Sequence, residues 1–179
     1  HQLFLKLADI AAELDVPIDM HMEAVPKLTP IPKKLSFSPN PDELRPNIKR
    51  FEILLSHNTN ARIIWSHCGW GNIGARTPQL MRELLSKHKN LYMSIKLNKS
   101  GLRSVLPFNK KKEIKEDWKR LFLDFQDRFM IGTDLKPSAR GVHKKSDKIP
   151  TLTATFLRAL PSNFVKKFTI ENAKLVFGL

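Results

Sequence analysis

One pattern recurs four times along the chain and limits what it can fold into. A short run of β-branched, aromatic and other apolar residues is followed by a longer stretch with apolar residues three and four apart. The runs are Val16-Pro17-Ile18-Asp19-Met20, Arg62-Ile63-Ile64-Trp65-Ser66, Leu91-Tyr92-Met93-Ser94-Ile95 and Arg128-Phe129-Met130-Ile131-Gly132-Thr133. Strands that alternate with helices pair in parallel through right-handed crossovers. The expected class is therefore α/β, built from parallel (β/α) units. A length of 179 residues suits one domain, residues 1–179, and no shift in composition marks an internal boundary.

The intervening segments fill in the order. Leu3, Phe4, Leu7, Ile10, Ala11 and Leu14 give a leading helix over 3–14. The stretch 24–41 contains Pro26, Pro30, Pro32, Pro39 and Pro41 and reads as a long loop. Asp42 or Asn40 caps a helix over about 43–57 that buries Leu44, Ile48, Phe51, Leu54 and Leu55. A glycine-rich loop, Cys68 to Gly74, precedes Thr77-Pro78, an N-cap with proline at the first helical position. That helix runs to about Lys87. A helix over 113–126 points Ile114, Trp118, Leu121, Phe122 and Phe125 inward. A loop over 135–147 leads to a helix over 148–159, then to two short helices stopped by Gly178.

Composition removes several alternatives. Cys68 is the single cysteine, so an internal disulfide is impossible and a reducing compartment, the cytoplasm, is expected. No apolar run reaches the roughly 18 residues of a membrane span, and no membrane association is expected. The first residues lack a basic segment and a cleavage site, so they do not form a signal peptide. Because they also lack a starting Met, we expect the chain to begin inside a longer protein. The net charge is +14, with 31 Lys and Arg against 17 Asp and Glu. Nucleic acid, an acidic membrane surface or an anionic substrate can exploit such an excess. No zinc-finger spacing, RNP-like aromatic motif or basic zipper accompanies the lysine runs, and a lysine-rich surface also serves solubility.

The chemistry concentrates at the ends of the strands. His21, His67 and Asp134 each follow an apolar run, and in parallel α/β architecture those ends share the face on which βα loops build a site. Imidazoles and a carboxylate converging from different strands suit a metal, and an Asp beside an activated water suits a general base. Each residue alone has a plainer reading. A histidine after a strand commonly caps or hydrogen-bonds, and Asp134 can cap a turn. Gly69, Gly71 and Gly74 match neither a P-loop nor a dinucleotide fingerprint.

Three segments carry a resemblance. Pro17-Ile18-Asp19-Met20-His21-Met22-Glu23, Ile63-Ile64-Trp65-Ser66-His67-Cys68-Gly69-Trp70-Gly71 and Phe129-Met130-Ile131-Gly132-Thr133-Asp134 resemble the later strands of amidohydrolase-related TIM-barrel proteins, the branch of metal-dependent hydrolases and decarboxylases. Glu171-Asn172-Ala173-Lys174-Leu175-Val176-Phe177-Gly178-Leu179 resembles their terminal helix.

The resemblance implies the second half, strands five to eight, of a (β/α)8 barrel. It implies a divalent metal, often zinc, with His21, His67 and Asp134 as ligands and with Asp134 and His67 catalytic. Glu23, Trp70, Lys96 and Arg140 are candidate substrate contacts. Lys96, Lys99, Arg103, Lys136 and Arg140 would favour an anionic small molecule at the mouth.

There is no His-x-His strand, and His57, His88 and His143 do not supply that spacing. The chain thus reads as part of a longer polypeptide or as a pared-down relative. Four strands alone leave two open edges, at the His21 strand and the Asp134 strand. The missing half of the barrel or a second copy is expected to cover them. The alternative to a hydrolase or decarboxylase is a non-catalytic module that binds an acidic partner or nucleic acid through its basic loops.

Overall fold

A computed structural model describes residues 1–37, 39–97, 102–135, 137–138, 141–142 and 148–179. Four strands form one parallel sheet: β1 (Ile18–Met20), β4 (Ile63–Cys68), β5 (Leu91–Ile95) and β6 (Phe129–Ile131), side by side in chain order. Ile18 pairs with Ile63, Ile63 with Leu91, and Met93 with Phe129. The parallel α/β reading of the sequence therefore holds, and β1 and β6 are the two edges of this sheet among the described residues.

Successive side chains along a strand point to opposite faces, and the two faces differ in chemistry. Ile63, Trp65, Leu91, Met93, Ile95 and Phe129 meet the helices in the main core. Helix α2 (Ile48–His57) supplies Phe51, Leu54 and Leu55, and α3 (Pro78–Lys87) supplies Met81, Leu84 and Leu85. Helix α4 (Glu116–Asp124) supplies Trp118, Leu121 and Phe122, and α5 (Lys148–Ala159) supplies Phe156. The Phe122 ring lies 5.0–5.7 Å from the rings of Trp118, Phe129, Phe156 and Phe168, mostly edge to face, the geometry that aromatic quadrupoles favour. Cys68 is buried on this side, with its sulfur 3.4 Å from that of Met81.

On the opposite face, Ile64, Tyr92 and Met130 meet Ala173 and Val176 of α7 (Asn172–Phe177). Asp19, Ser66 and Ser94 continue this face toward the carboxyl ends of the strands. Helix α6 (Ser162–Lys166) joins α7 through one π turn, Lys167–Glu171, and Gly178 ends the chain's last helix in the left-handed conformation. The Asn172 amide donates to the carbonyls of Gln126 and Phe129, at 2.8 and 2.6 Å, and so ties α7 to the start of β6.

Three of the segments between the sheet strands differ from the sequence reading. The helix expected over 43–57 begins only at Ile48. Pro46 disfavours a helical Arg45, and the Asn47 side chain accepts from Val25 N at 3.0 Å and donates to Glu23 O at 2.8 Å. The residues freed from that helix form β3 (Glu43–Leu44), antiparallel to β2 (Thr29–Pro30) inside the proline-rich loop. Helix α4 starts at Glu116 because Ile114 bridges to Phe108. The expected loop over 135–147 includes a small antiparallel pair, β7 (Pro137–Ser138) with β8 (Gly141–Val142).

The leading helix α1 (Gln2–Glu13) buries Ala8 and Ala11 and packs against α2. Its other face exposes Leu3, Phe4, Leu7 and Ile10, with Leu14 just beyond. No helix among the described residues is long and apolar enough to cross a membrane.

Where β6 ends beside β5, contact is very close. A Cβ placed on Gly132 would lie 2.6 Å from Ser94 Cβ, while Gly132 N–H donates to Ile95 O at 3.0 Å. Gly132→Ala is therefore expected to destabilise the fold by about 1–3 kcal/mol, the cost of overpacking. Urea unfolding measures this, and adding Ser94→Gly should restore most of the loss.

Candidate active site

The four strands deliver four polar side chains to one end of the sheet. His21 follows β1, His67 is the penultimate residue of β4, Lys96 follows β5, and Asp134 lies three residues beyond β6. The ladder continues past the formal strand ends. Lys96 N–H donates to Cys68 O at 2.8 Å, which fixes Lys96 beside the His67 segment.

A bulge aims His67. Between Trp65↔Met93 and Cys68↔Ile95, β4 spends one more residue than β5, and His67 takes φ 69°. Bulges re-aim side chains in this way and collect near active sites. Asp134 also has a left-handed φ, 51°. For non-glycine residues this costs about 1–2 kcal/mol each, so the surrounding contacts must hold them there.

Those contacts are specific. The His21 ring meets the His67 ring edge-on, with centroids 4.4 Å apart. Lys96 Nζ donates to Asp134 Oδ2 at 2.6 Å, and His67 Nε2 stands 3.7 Å from the same oxygen. The Trp70 ring lies beneath the Lys96 ammonium at 4.7 Å and edge-on to His67 at 6.0 Å. Lys96 is 8% exposed. The Nδ1 atom of His67 is buried with no hydrogen-bond partner among the described residues. Burial, with Lys96 and His21 adding to it, pushes the His67 imidazole down to about 4 against the pull of Asp134. His67 is thus neutral at neutral pH.

The structure thereby brings together His21, His67, Trp70, Lys96 and Asp134. Glu23 lines the same small cavity as His21, His67 and Trp70, and its carboxylate also has a structural task. The Glu23 carboxylate accepts from Asn72 N at 3.0 Å, Asn72 Nδ2 at 3.0 Å and Ile73 N at 3.4 Å. It clasps the glycine-rich loop that carries Trp70. Arg140, Lys99, Lys136 and His143 lie outside the described residues. His57 and His88 sit away from the strand ends, in an open groove between α2 and α3 with Lys49, Glu52 and Lys87.

Sequence reading missed a supporting layer. Arg76 is 3% exposed, stacks over the Trp65 ring at 3.9 Å and donates to the backbone carbonyls of Trp65 and Ser66. Burial lowers its guanidinium to about 10, with Cys68 and Glu23 opposing the shift. Asp19 accepts from the Ser66 hydroxyl, and Trp65 Nε1 donates to Met22 O at 2.8 Å. Asp19 and Ser66 lie on alternate-residue positions of their strands and could have been placed on this face. Arg76, in a loop before an N-cap, carried no such signal.

A divalent metal requires its donors to converge at about 2.0–2.2 Å. Among the described residues no group of three His, Cys, Asp or Glu side chains could hold one. The carboxylate that would serve already receives an ammonium at 2.6 Å. His21, His67 and Asp134 as they stand do not fit a metal.

No protein-family model and no curated protein matches the chain. Among solved structures, it is similar to dihydroorotase from Campylobacter jejuni, with a TM-score of 0.54 at 16% identity. The match covers 97% of this chain and 51% of that one, so the chain spans about half the length of the enzyme it matches. At this identity the likeness speaks for fold: four consecutive parallel (β/α) units arranged as part of a TIM-like barrel.

The neutral His67 links the site to stability. Its folded-state value lies below the ordinary 6.5, so the unfolded chain binds the extra proton as pH falls through 6.5 toward 4. His67 therefore makes stability fall with pH across that window. Urea midpoints measured from pH 7 to 4 should drop less steeply in His67→Asn than in the parent chain.

Proposed function

We propose that this chain supplies one half of an amidohydrolase-type active site that hydrolyses a C–N or C–O bond in an anionic small molecule. The observation that carries the reading is the meeting of His21, His67, Lys96 and Asp134 at the carboxyl ends of four adjacent parallel strands. Functional groups in this architecture collect at that end.

The roles follow from chemistry. Asp134 accepts the proton of the attacking water and returns it to the leaving nitrogen or oxygen. Lys96 orients the Asp134 carboxylate and attracts a negatively charged substrate. His67, uncharged and fixed by the bulge, offers Nε2 to the oxygen on which charge develops. His21 packs against His67 and holds its ring plane. Trp70 walls the site and keeps the Lys96 ammonium in place. A divalent metal, zinc by the family resemblance, would draw on donors beyond the three side chains described above, and no role assigned here depends on it. Decarboxylation of a carboxylic acid is the neighbouring chemistry, and release of CO2 distinguishes it.

Among the described residues the sheet that carries the site ends in two strand edges, β1 and β6. We take the edges of β1 and β6, with the exposed apolar stripe of α1, to be covered in the working protein by the complementary strands and helices of a barrel or by a second copy. A single buried thiol fits a reducing, cytoplasmic setting.

Asp134→Asn in the full-length protein tests the reading against a panel of anionic amides and esters. Turnover should fall by about two to four powers of ten, the usual worth of a general base. The melting temperature should fall, because the buried Lys96 ammonium loses its carboxylate partner, so turnover is compared at a temperature where both proteins are folded by circular dichroism. Normal turnover in the folded variant would make Asp134 a structural residue.

A further inference from the structure

The lysine run at Lys110–Lys112 meets the helical side of the sheet at a groove of about 460 Å³, between α4 and the turn that joins α5 to α6. Its floor is apolar. Phe122 of α4, Leu160 at the turn and Phe164 of α6 are buried there, with Ile114 half-buried beside them. Lys112, Lys119 and Glu113 also line it and are exposed, so they form its rim. None of the lining residues belongs to the cluster of His21, His67, Trp70, Lys96 and Asp134. The rim is built to present charge. Ile114 bridges to Phe108, and the turn between them is held by Asn109 Oδ1, which accepts from Lys111 N and Glu113 N at 2.8 and 3.1 Å. Lys112 takes φ 66° in this turn. Glycine adopts such a backbone freely, and a larger residue stays there only because its surroundings impose it.

Charge complementarity selects the occupant. Over residues 109–120 six Lys and Arg outnumber three Asp and Glu. Two of those carboxylates are engaged nearby: Glu113 Oε2 accepts from Asn109 Nδ2 at 2.9 Å, and Glu116 pairs with Arg120 at 3.5 Å. Lys112 and Lys119 have no ion-pair partner among the described residues. Two ammoniums and the Glu113 carboxylate leave the rim with one net positive charge. The groove also has the size of small-molecule sites, about 300–1,000 Å³, which are mostly apolar with a few polar groups that fix orientation. We propose that it binds an apolar monocarboxylate, a fatty-acid-type anion whose chain covers Phe122, Leu160 and Phe164 and whose head meets Lys112 and Lys119. A neutral apolar molecule gains nothing from the two ammoniums. A small polar anion leaves the floor uncovered, and a doubly charged head meets repulsion from Glu113.

Hexanoate, octanoate and decanoate, with octanol as the neutral control, are titrated into the full chain at neutral pH by calorimetry, and amide NMR shifts locate the site. Affinity should rise about two- to fourfold for each added methylene that is buried. Octanoate should bind about three- to tenfold more tightly than octanol, the worth of two exposed charge contacts. The shifts should centre on α4 and α6. The double variant Lys112→Gly/Lys119→Ala should lose the preference for octanoate over octanol. Glycine suits the left-handed position and alanine suits a helix, so this variant should fold, which circular dichroism checks. Ala159→Trp, at an exposed position on the groove wall, should fill the space and weaken both ligands about tenfold or more. No binding at millimolar ligand would overturn the proposal. So would equal binding of octanoate and octanol by the parent chain, or a preference that survives loss of both lysines. Unchanged binding in a folded Ala159→Trp variant would also overturn it, as would shifts centred on the exposed stripe of α1.

Discussion

A buried guanidinium underlies the geometry of the strand ends. Arg76 lies flat on Trp65 and donates to the carbonyls of Trp65 and Ser66, at the point where the β4–β5 ladder is interrupted. Carbonyls buried without donors cost about 1–3 kcal/mol each. A bulge in the middle of a sheet is therefore tolerated only when a donor reaches it. Arginine suits the task because its fork reaches two oxygens at once and its charge survives burial. Even lowered to about 10, the group stays protonated at neutral pH. The position of His67 follows from the bulge, and the bulge depends on Arg76.

The second constraint is charge. The chain is strongly basic, yet its best-organised cluster is nearly balanced: one buried ammonium against one carboxylate, with both imidazoles beside them. The Glu23 carboxylate is spent on the backbone of residues 72 and 73. It shapes the wall that carries Trp70 and lines the small cavity beside His21 and His67. A negative ligand entering from solvent would compete with Asp134 for Lys96. The left-handed backbone at both His67 and Asp134 stores strain on either side of that ion pair. The site is held by its support and would relax elsewhere if the support were lost.

Much of this was legible in the sequence because strand ends are marked locally. Apolar runs stop at His21, His67 and Asp134, and period-two alternation puts Asp19, Ser66 and Ser94 on one face. Thr77-Pro78 announced α3, and Gly178 announced the end of α7. What was not legible depends on distance in the chain or on backbone detail. The early start given to α2 ignored Pro46, whose effect on Arg45 is local, and the Asn47 bonds to residues 23 and 25, which are not. The contact between Lys96 and Asp134 spans 38 residues, and only the closeness of β5 and β6 at Gly132 creates it. The bulge has no composition of its own. The closeness of Glu23 to the site was legible, and it lines the cavity with His21 and His67; its clasp on a loop 49 and 50 residues away was not.

The sulfur pair behind the sheet gives the molecule an internal clock. Cys68 is fully buried against Met81, and burial pushes its thiol up to about 12. Thiolate is the species that alkylating reagents attack, so the closed molecule is nearly inert to them. Reaction must wait until β4 and α3 part. The rate of labelling at this one cysteine would therefore count the openings of that seam, in a chain where no second thiol can confuse the count. The opening free energy of the strand that carries His67 becomes measurable without a ligand, a substrate or an added probe site.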